Sequence, residues 1–325
     1  MVRLAAFGAA SQDVFVSGEA IKADLDLRTN EYKEEFTEDF KLGAKITVDS
    51  VIFSTGGGAT NAAVTFARQG LDSVFVGKIG DDIAGHGVLE ELDKENVDTS
   101  GVIHHPTEGT QYSTVLLADN GERTILVYRG AANTHTADDY RDYDFSGIDW
   151  VYISSFGGAF EALDVVISRA KTAGAKIMFN PGDAELKQVE KLKPLLEDVE
   201  VLSVNKEEMK KIVEGESGEE LVRHAMHYCP VAIVSDGPNG VYATDGKTIV
   251  RAGMYEDVPV IDRTGAGDAF GSGFLSQWAT GKSLKDSIIF ASANSTSVVT
   301  KIGAKEGILA EGVKLHEMPL TEKAF

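Results

Sequence analysis

Short apolar runs rich in β-branched residues alternate along this chain with amphipathic stretches of helix length. Val74–Val76, Trp150–Ile153, Lys176–Phe179, Val201–Val204 and Val231–Val234 read as buried parallel strands, because a strand covered on both faces has no polar alternation. Between them, Ile83–Glu95, Glu161–Ala173, Glu185–Glu197, Lys206–Val213 and Glu219–Tyr228 space their apolar residues by three and four, which predicts helices. Strand and helix in strict alternation predict a three-layer α/β/α fold around a mostly parallel central sheet. Ligands of such sheets bind beyond the carboxyl ends of the strands.

Two stretches break the alternation. Between Val16 and Phe53 the chain is charged and irregular, strongly acidic over Glu31–Asp39, with strand-like pieces at Ile46–Val48 and Val51–Phe53. Between Val102 and Val127 lies a hairpin pattern: Gln111–Leu117, a turn at Asp119-Asn120-Gly121-Glu122, then Arg123–Tyr128. Asn-Gly is a strong hairpin signal. The two stretches together predict a small β-sheet lid, formed by about 13–54 and 102–130 within a single domain of residues 1–325. A further turn at Asp245-Gly246 joins two late strands.

Composition narrows the partners. Hydrophobic residues make up 43% of the 325 and charged residues 25%, ordinary for a folded soluble protein. With 31 Lys and Arg against 51 Asp and Glu, the formal charge is −20. Such a surface repels nucleic-acid phosphate and anionic lipid, so neither is an expected partner. The lone cysteine, Cys229, rules out an internal disulfide and suits a reducing compartment. The first eight residues are too short an apolar run for a signal peptide, and no window reaches the length of a membrane span, so the expected location is the cytoplasm.

The strongest chemical signal is Asp262-Arg263-Thr264-Gly265-Ala266-Gly267-Asp268-Ala269-Phe270-Gly271. Pro259–Ile261 leads in as a strand end, and Ala266, Ala269, Phe270, Gly273 and Phe274 form an apolar helical stripe beyond. Amides of a glycine turn at a helix N-terminus can hold an anion and neutralise charge that develops during phosphoryl transfer. Asp268, in the first turn, can take the proton of an incoming hydroxyl. A first-turn aspartate also simply complements the helix dipole, but that leaves the preceding Gly265, Ala266 and Gly267 unexplained. A second signal is Gly56-Gly57-Gly58-Ala59-Thr60-Asn61, where the backbone can approach a ligand closely and Asn61 offers both donor and acceptor.

These motifs resemble, in order, those of the ribokinase-like family of carbohydrate and nucleoside kinases, which includes ribokinase, fructokinase and phosphofructokinase B. The resemblance runs from Val2 to about Gly307. It takes in Asp13 after the first strand, Gly56–Asn61, Lys78-Ile79-Gly80-Asp81-Asp82 with Gly85, and Gly130–Asn133. It continues through Asn205-Lys206-Glu207-Glu208, Ser235-Asp236-Gly237-Pro238-Asn239-Gly240 and Thr264–Phe270. It implies an ATP-dependent kinase that phosphorylates a primary hydroxyl, with Asp268 as general base and an anion hole at Gly265, Ala266 and Gly267. Asp13, Gly57 and Asn61 would bind substrate. Asn205 and Glu208 would arrange Mg²⁺, although the same Asn-x-x-Glu pattern is a common helix capping box. Ser235, Gly237, Gly240 and Asn294 would border ATP. Asp262, Thr264 and the loop 301–304 resemble a monovalent-cation site that would take K⁺, but Gly307 stands where ribokinase has a serine ligand.

Substrate identity stays open between a sugar, a sugar acid and a nucleoside. Gly58 replaces a ribose-gripping lysine of ribokinase, and Ile153–Gly157 lacks its substrate-binding glutamate. Arg129 falls where keto-deoxygluconate-type kinases grip a carboxylate, or else pairs with a lid acid such as Glu122. A catalytically silent sugar-binding regulator is the alternative of another class, and the intact Asp268 turn argues against it. His224, His227 and Cys229 lack the ligand number and spacing of a zinc site. His104-His105 beside Pro106 reads as a lid turn. The lid, with its unpaired edges, is expected to pair two chains as a homodimer.

Overall fold

Ten strands form the main sheet, in the order Leu320–Ala324, Thr248–Ala252, Val241–Thr244, Val231–Ser235, Val201–Asn205, Lys176–Phe179, Trp150–Ile153, Arg3–Phe7, Asp72–Gly80 and Asp98–His105. The computed structural model describes residues 1–19, 21, 24–25, 36–37, 40, 42–118 and 123–325. From Val231–Ser235 to Asp98–His105 all neighbours run parallel, and the remaining three strands are antiparallel. The expected three-layer architecture is therefore present.

The period of two explains why both faces are covered. Leu4, Ala6, Trp150 and Tyr152 point to one apolar layer, shared with Phe66, Leu92, Phe274 and Ile288 of the helices Gly58–Arg68, Ile83–Lys94, Ala266–Trp278 and Leu284–Val298. Ala5, Phe7, Val151 and Ile153 point to the other, with Leu163, Leu192, Met209 and Leu221 of the helices Phe160–Thr172, Val189–Leu196, Lys206–Ile212 and Gly218–Ala225. Each large apolar side chain so enclosed contributes about 1.5–3 kcal/mol.

A second, four-stranded sheet has the order Ser50–Gly56, Ser11–Ser17, Gln111–Leu117, Arg123–Tyr128. Its inner strands bury Phe15 and Val115, while Val51, Phe53, Leu126 and Tyr128 on its outer strands are exposed.

Several expectations need correction. Residues 102–105, assigned to the lid, belong to Asp98–His105, which pairs in parallel with Asp72–Gly80 at the edge of the main sheet. His104 and His105 thus end a main-sheet strand. Ile46–Val48 is not a strand, and Pro259–Ile261 is irregular, with Val260 and Ile261 exposed. One helix over Glu185–Glu197 is two, Asp183–Leu186 and Val189–Leu196, because Gln188 leaves helical geometry at φ −124°, ψ 48°. The Asp119–Glu122 turn, and Glu31–Asp39 apart from Phe36–Thr37, lie outside the described residues. Thr244 and Thr248 do flank the expected Asp245-Gly246 turn.

Candidate active site

The carboxyl ends of the parallel strands open into two cavities that share one wall. The first, of about 410 Å³, is lined by Gly57, Gly58, Gln111, Arg129, Asn133, Ser154, Asn180, Asp183, Glu208 and Asp268. The second, of about 170 Å³, is lined by Ser235, Gly237, Gly240, Tyr255, Ala266, Gly267 and Ser295. The shared wall is the first turn of Ala266–Trp278, which turns Asp268 to one cavity and Ala266 and Gly267 to the other. A wider groove of about 740 Å³ lies at the amino ends of the strands, beside Val2, Trp150 and Lys176, and carries none of the motifs.

The chain reaches this geometry through Gly265. As the helix N-cap it holds φ 78°, and a Cβ there would fall 2.4 Å from Cβ of Ala304. Gly265→Ala therefore meets both a left-handed backbone and a steric clash. It should cost about 1–3 kcal/mol of stability, seen as a melting temperature lower by several degrees. An unchanged melting curve would show that the turn tolerates a side chain.

Asp268 accepts a hydrogen bond from Asn61, Nδ2 to Oδ2 at 2.8 Å, across 207 positions of sequence. Burial pushes the Asp268 carboxyl above its ordinary value, against the opposing pull of Asn61 and of the Lys305 ammonium. Asn61 is 3% exposed and keeps Oδ1 without a partner. Asp13 is also buried and raised by desolvation, and accepts from Ser11 Oγ at 3.1 Å. Neither Asp13 nor Asn61 lines the cavity, whereas Gly57 and Arg129 do.

Asn205 and Glu208 form the capping box. Asn205 Oδ1 accepts from the Glu208 amide, and Glu208 Oε2 accepts from the Asn205 amide, each at 2.9 Å. Glu208 still has Oε1 to offer at the cavity wall, and a hard carboxylate oxygen there fits a water-coordinated Mg²⁺. Ser235, Gly237 and Gly240 gather at the second cavity. Asn294 does not join them. It is fully buried, donating to Ala269 O at 2.8 Å and accepting from Leu309 N at 2.8 Å, while Ser292, Ser295 and Thr296 of its helix line the cavity instead.

Asp262 and Thr264 serve as a turn anchor. Asp262 Oδ1 accepts from Thr264 N and Oγ1, and its Oδ2 accepts from Gly303 N. A Cβ at Gly307 would meet Ser297 O at 2.5 Å, so the backbone fills the place of a ligating side chain.

Sequence reasoning missed Ser154, Asn180 and Asp183, although each follows the end of a predicted strand. It also missed Lys305, whose burial nothing in the local sequence signals.

The fold is that of the ribokinase-type kinases, with two cavities meeting at one helix N-terminus. Residues 11–310 match the description "pfkB family carbohydrate kinase", and the chain belongs to that family. It is an ATP-dependent carbohydrate kinase. It is 29% identical to a probable chloroplastic fructokinase-6 of Arabidopsis thaliana, over 77% of this chain and 70% of the relative. It is 26% identical to an ATP-dependent ribose-1-phosphate kinase of Halopiger xanaduensis, over 80% of this chain and 85% of that one. The solved ribokinase of Arabidopsis thaliana, complexed with ribose and ATP, shares the fold at a TM-score of 0.74 and 21% identity, covering 95% of this chain and 96% of that one.

Proposed function

We propose that this kinase transfers the γ-phosphate of ATP to a primary hydroxyl of a sugar or sugar acid, with Asp268 as general base. The observation that carries this reading is the shared wall: the one turn that presents Asp268 to the acceptor cavity presents Ala266 and Gly267 to the nucleotide cavity. An in-line transfer needs acceptor and phosphate on opposite sides of such a point, with little covalent chemistry besides. The open amides of Gly265–Asp268 stabilise charge on the transferred group. Asn61 orients the carboxylate through its 2.8 Å bond. Glu208 and Asn205 would hold the water shell of Mg²⁺, whose charge neutralises the phosphates. No step is assigned to a monovalent cation.

Arg129 supports an anionic acceptor. It lines the first cavity beside Gln111 and Asn133, and has no ion-pair partner among the described residues. One relative is named for ribose 1-phosphate, which is in keeping with that chemistry. The second reading is a nucleoside kinase, since one solved structure sharing the fold is an adenosine kinase from Sinorhizobium meliloti. A panel of neutral sugars, sugar acids, sugar phosphates and nucleosides, assayed for ATP consumption, separates the two. Highest kcat/KM on a nucleoside would displace the sugar reading.

The exposed Val51, Phe53, Leu126 and Val127 lie on the outer strands of the small sheet, whose edges are unpaired among the described residues. Two copies joined through this sheet would cover apolar surface that water otherwise wets. Sedimentation at micromolar concentration should show a dimer, and Phe53→Asp should shift it to monomer. A wild-type monomer would remove the lid from the assembly. Among the described residues no helix is long and apolar enough to cross a membrane, in keeping with a cytoplasmic enzyme.

A further inference from the structure

Lys305 is 2% exposed, yet it forms no ion pair among the described residues. Its Nζ donates to Thr55 O at 2.9 Å and to Thr60 Oγ1 at 3.0 Å. Thr60 Oγ1 in turn donates to Gly56 O at 2.6 Å, so the ammonium grips the turn that carries Gly57 and Asn61. The backbone of Lys305 is itself fixed, since Arg68 Nη1 donates to Lys305 O at 2.8 Å and to Ile308 O at 3.0 Å. One residue earlier, Ala304 packs against the Gly265 cap. The 304–309 loop therefore joins the acceptor turn to the anion-hole turn.

A buried ammonium held only by neutral oxygens is expensive unless negative charge lies near. Here the surrounding acids are Asp13, Glu91, Asp268 and Glu95, the last already bound to Arg68. Asp268 lines the first cavity and Asp13 lies against Gly56 of the acceptor turn, and Lys305 is the cation that opposes the upward shift of both carboxyls. We propose that Lys305 is a positioning residue of phosphoryl transfer, an internal cation that fixes the Gly56–Asn61 turn and serves as the counter-charge to Asp13 and Asp268. Burial lowers the Lys305 ammonium to about 8, so it remains charged at neutral pH. The groups facing Asp268 are then Asn61, Lys305 and the neutral Tyr152 phenol, and those facing Asp13 are Ser11, Ser113, Lys305 and Asp262.

The inference rests on Asp268 being the base, and its test separates the two. Lys305→Met keeps the length and bulk of the side chain but removes its charge. Without the cation the carboxylate loses its favourable partner and its pKa rises. The acid limb of the kcat/KM profile should move up by about one pH unit or more. At neutral pH, kcat/KM for the acceptor should fall about 10- to 100-fold with KM for ATP unchanged. Lys305→Arg should return the acid limb toward its wild-type position. A folded Lys305→Met enzyme with the wild-type acid limb overturns the proposal. If the methionine variant does not fold, aspartate ¹³C NMR of the wild type decides, with the Asp268 signal assigned by its loss in Asp268→Asn. A carboxyl that is ionised at neutral pH supports the internal cation, whereas one still protonated at neutral pH, as for a buried carboxylate lacking a counter-charge, overturns it. Failure of the base assignment looks different, because Asp268→Asn would then remain active.

Discussion

Asp268→Asn should lower kcat by roughly 10²–10⁴-fold while ATP affinity stays nearly intact. The amide matches the carboxylate in shape and still fits beside Asn61, whose Nδ2 lies 2.8 Å from Oδ2. It cannot accept the proton of the attacking hydroxyl. The second cavity, proposed to take ATP, lies on the other side of the turn against Gly237, Gly240 and Gly267, and the substitution leaves those amides in place. Steady-state kinetics with both substrates checks the split, and retention of more than about a tenth of kcat would refute the base assignment. A pH profile gives independent evidence. Burial raises the Asp268 carboxyl, so the base form is lost, and activity with it, as pH falls through a value above the ordinary carboxylate range. That acid limb should disappear in the asparagine variant.

Arg129→Ala should raise KM for the best acidic acceptor by about 10- to 150-fold, the equivalent of about 1.5–3 kcal/mol for one charged hydrogen bond. Neutral sugars should be affected less. On a chain of net charge −20, a guanidinium in the acceptor cavity is a local exception to the surrounding field. It can bind a carboxylate or phosphate through two parallel bonds. The competing role, a strut pairing with Glu122, falls on a residue outside those described. That role predicts equal weakening of all acceptors, or a lower melting temperature. Measuring KM for one acidic and one neutral sugar, alongside a thermal melt, distinguishes the outcomes.

The layers of the fold were legible because helix and strand periodicities are local properties of the chain. Trp150–Ile153 and Lys176–Phe179 were read with their observed bounds, since strands buried on both faces leave uninterrupted apolar runs. The Gly265–Asp268 turn was legible because its composition serves few purposes other than opening amides toward an anion. Residues 102–105 were misplaced into the lid because they suit either sheet, and only the partner strand Asp72–Gly80 settles which. Asn294 likewise occupies the expected helix, but its rotation about that helix is set by Ala269 and Leu309.

The sequence by itself determined the alternating architecture, the two glycine turns and the family to which the chain belongs. Tertiary structure alone decided which side chains meet. It set Asn61 against Asp268, separated by 207 positions, and placed Lys305 beneath Thr55 and Thr60, separated by 250 and 245. The physical reason is that periodicity and turn chemistry act over a few residues, whereas burial and charge depend on everything the fold brings near. A lysine in a polar loop carries no local mark of whether water or two carboxylates will surround it.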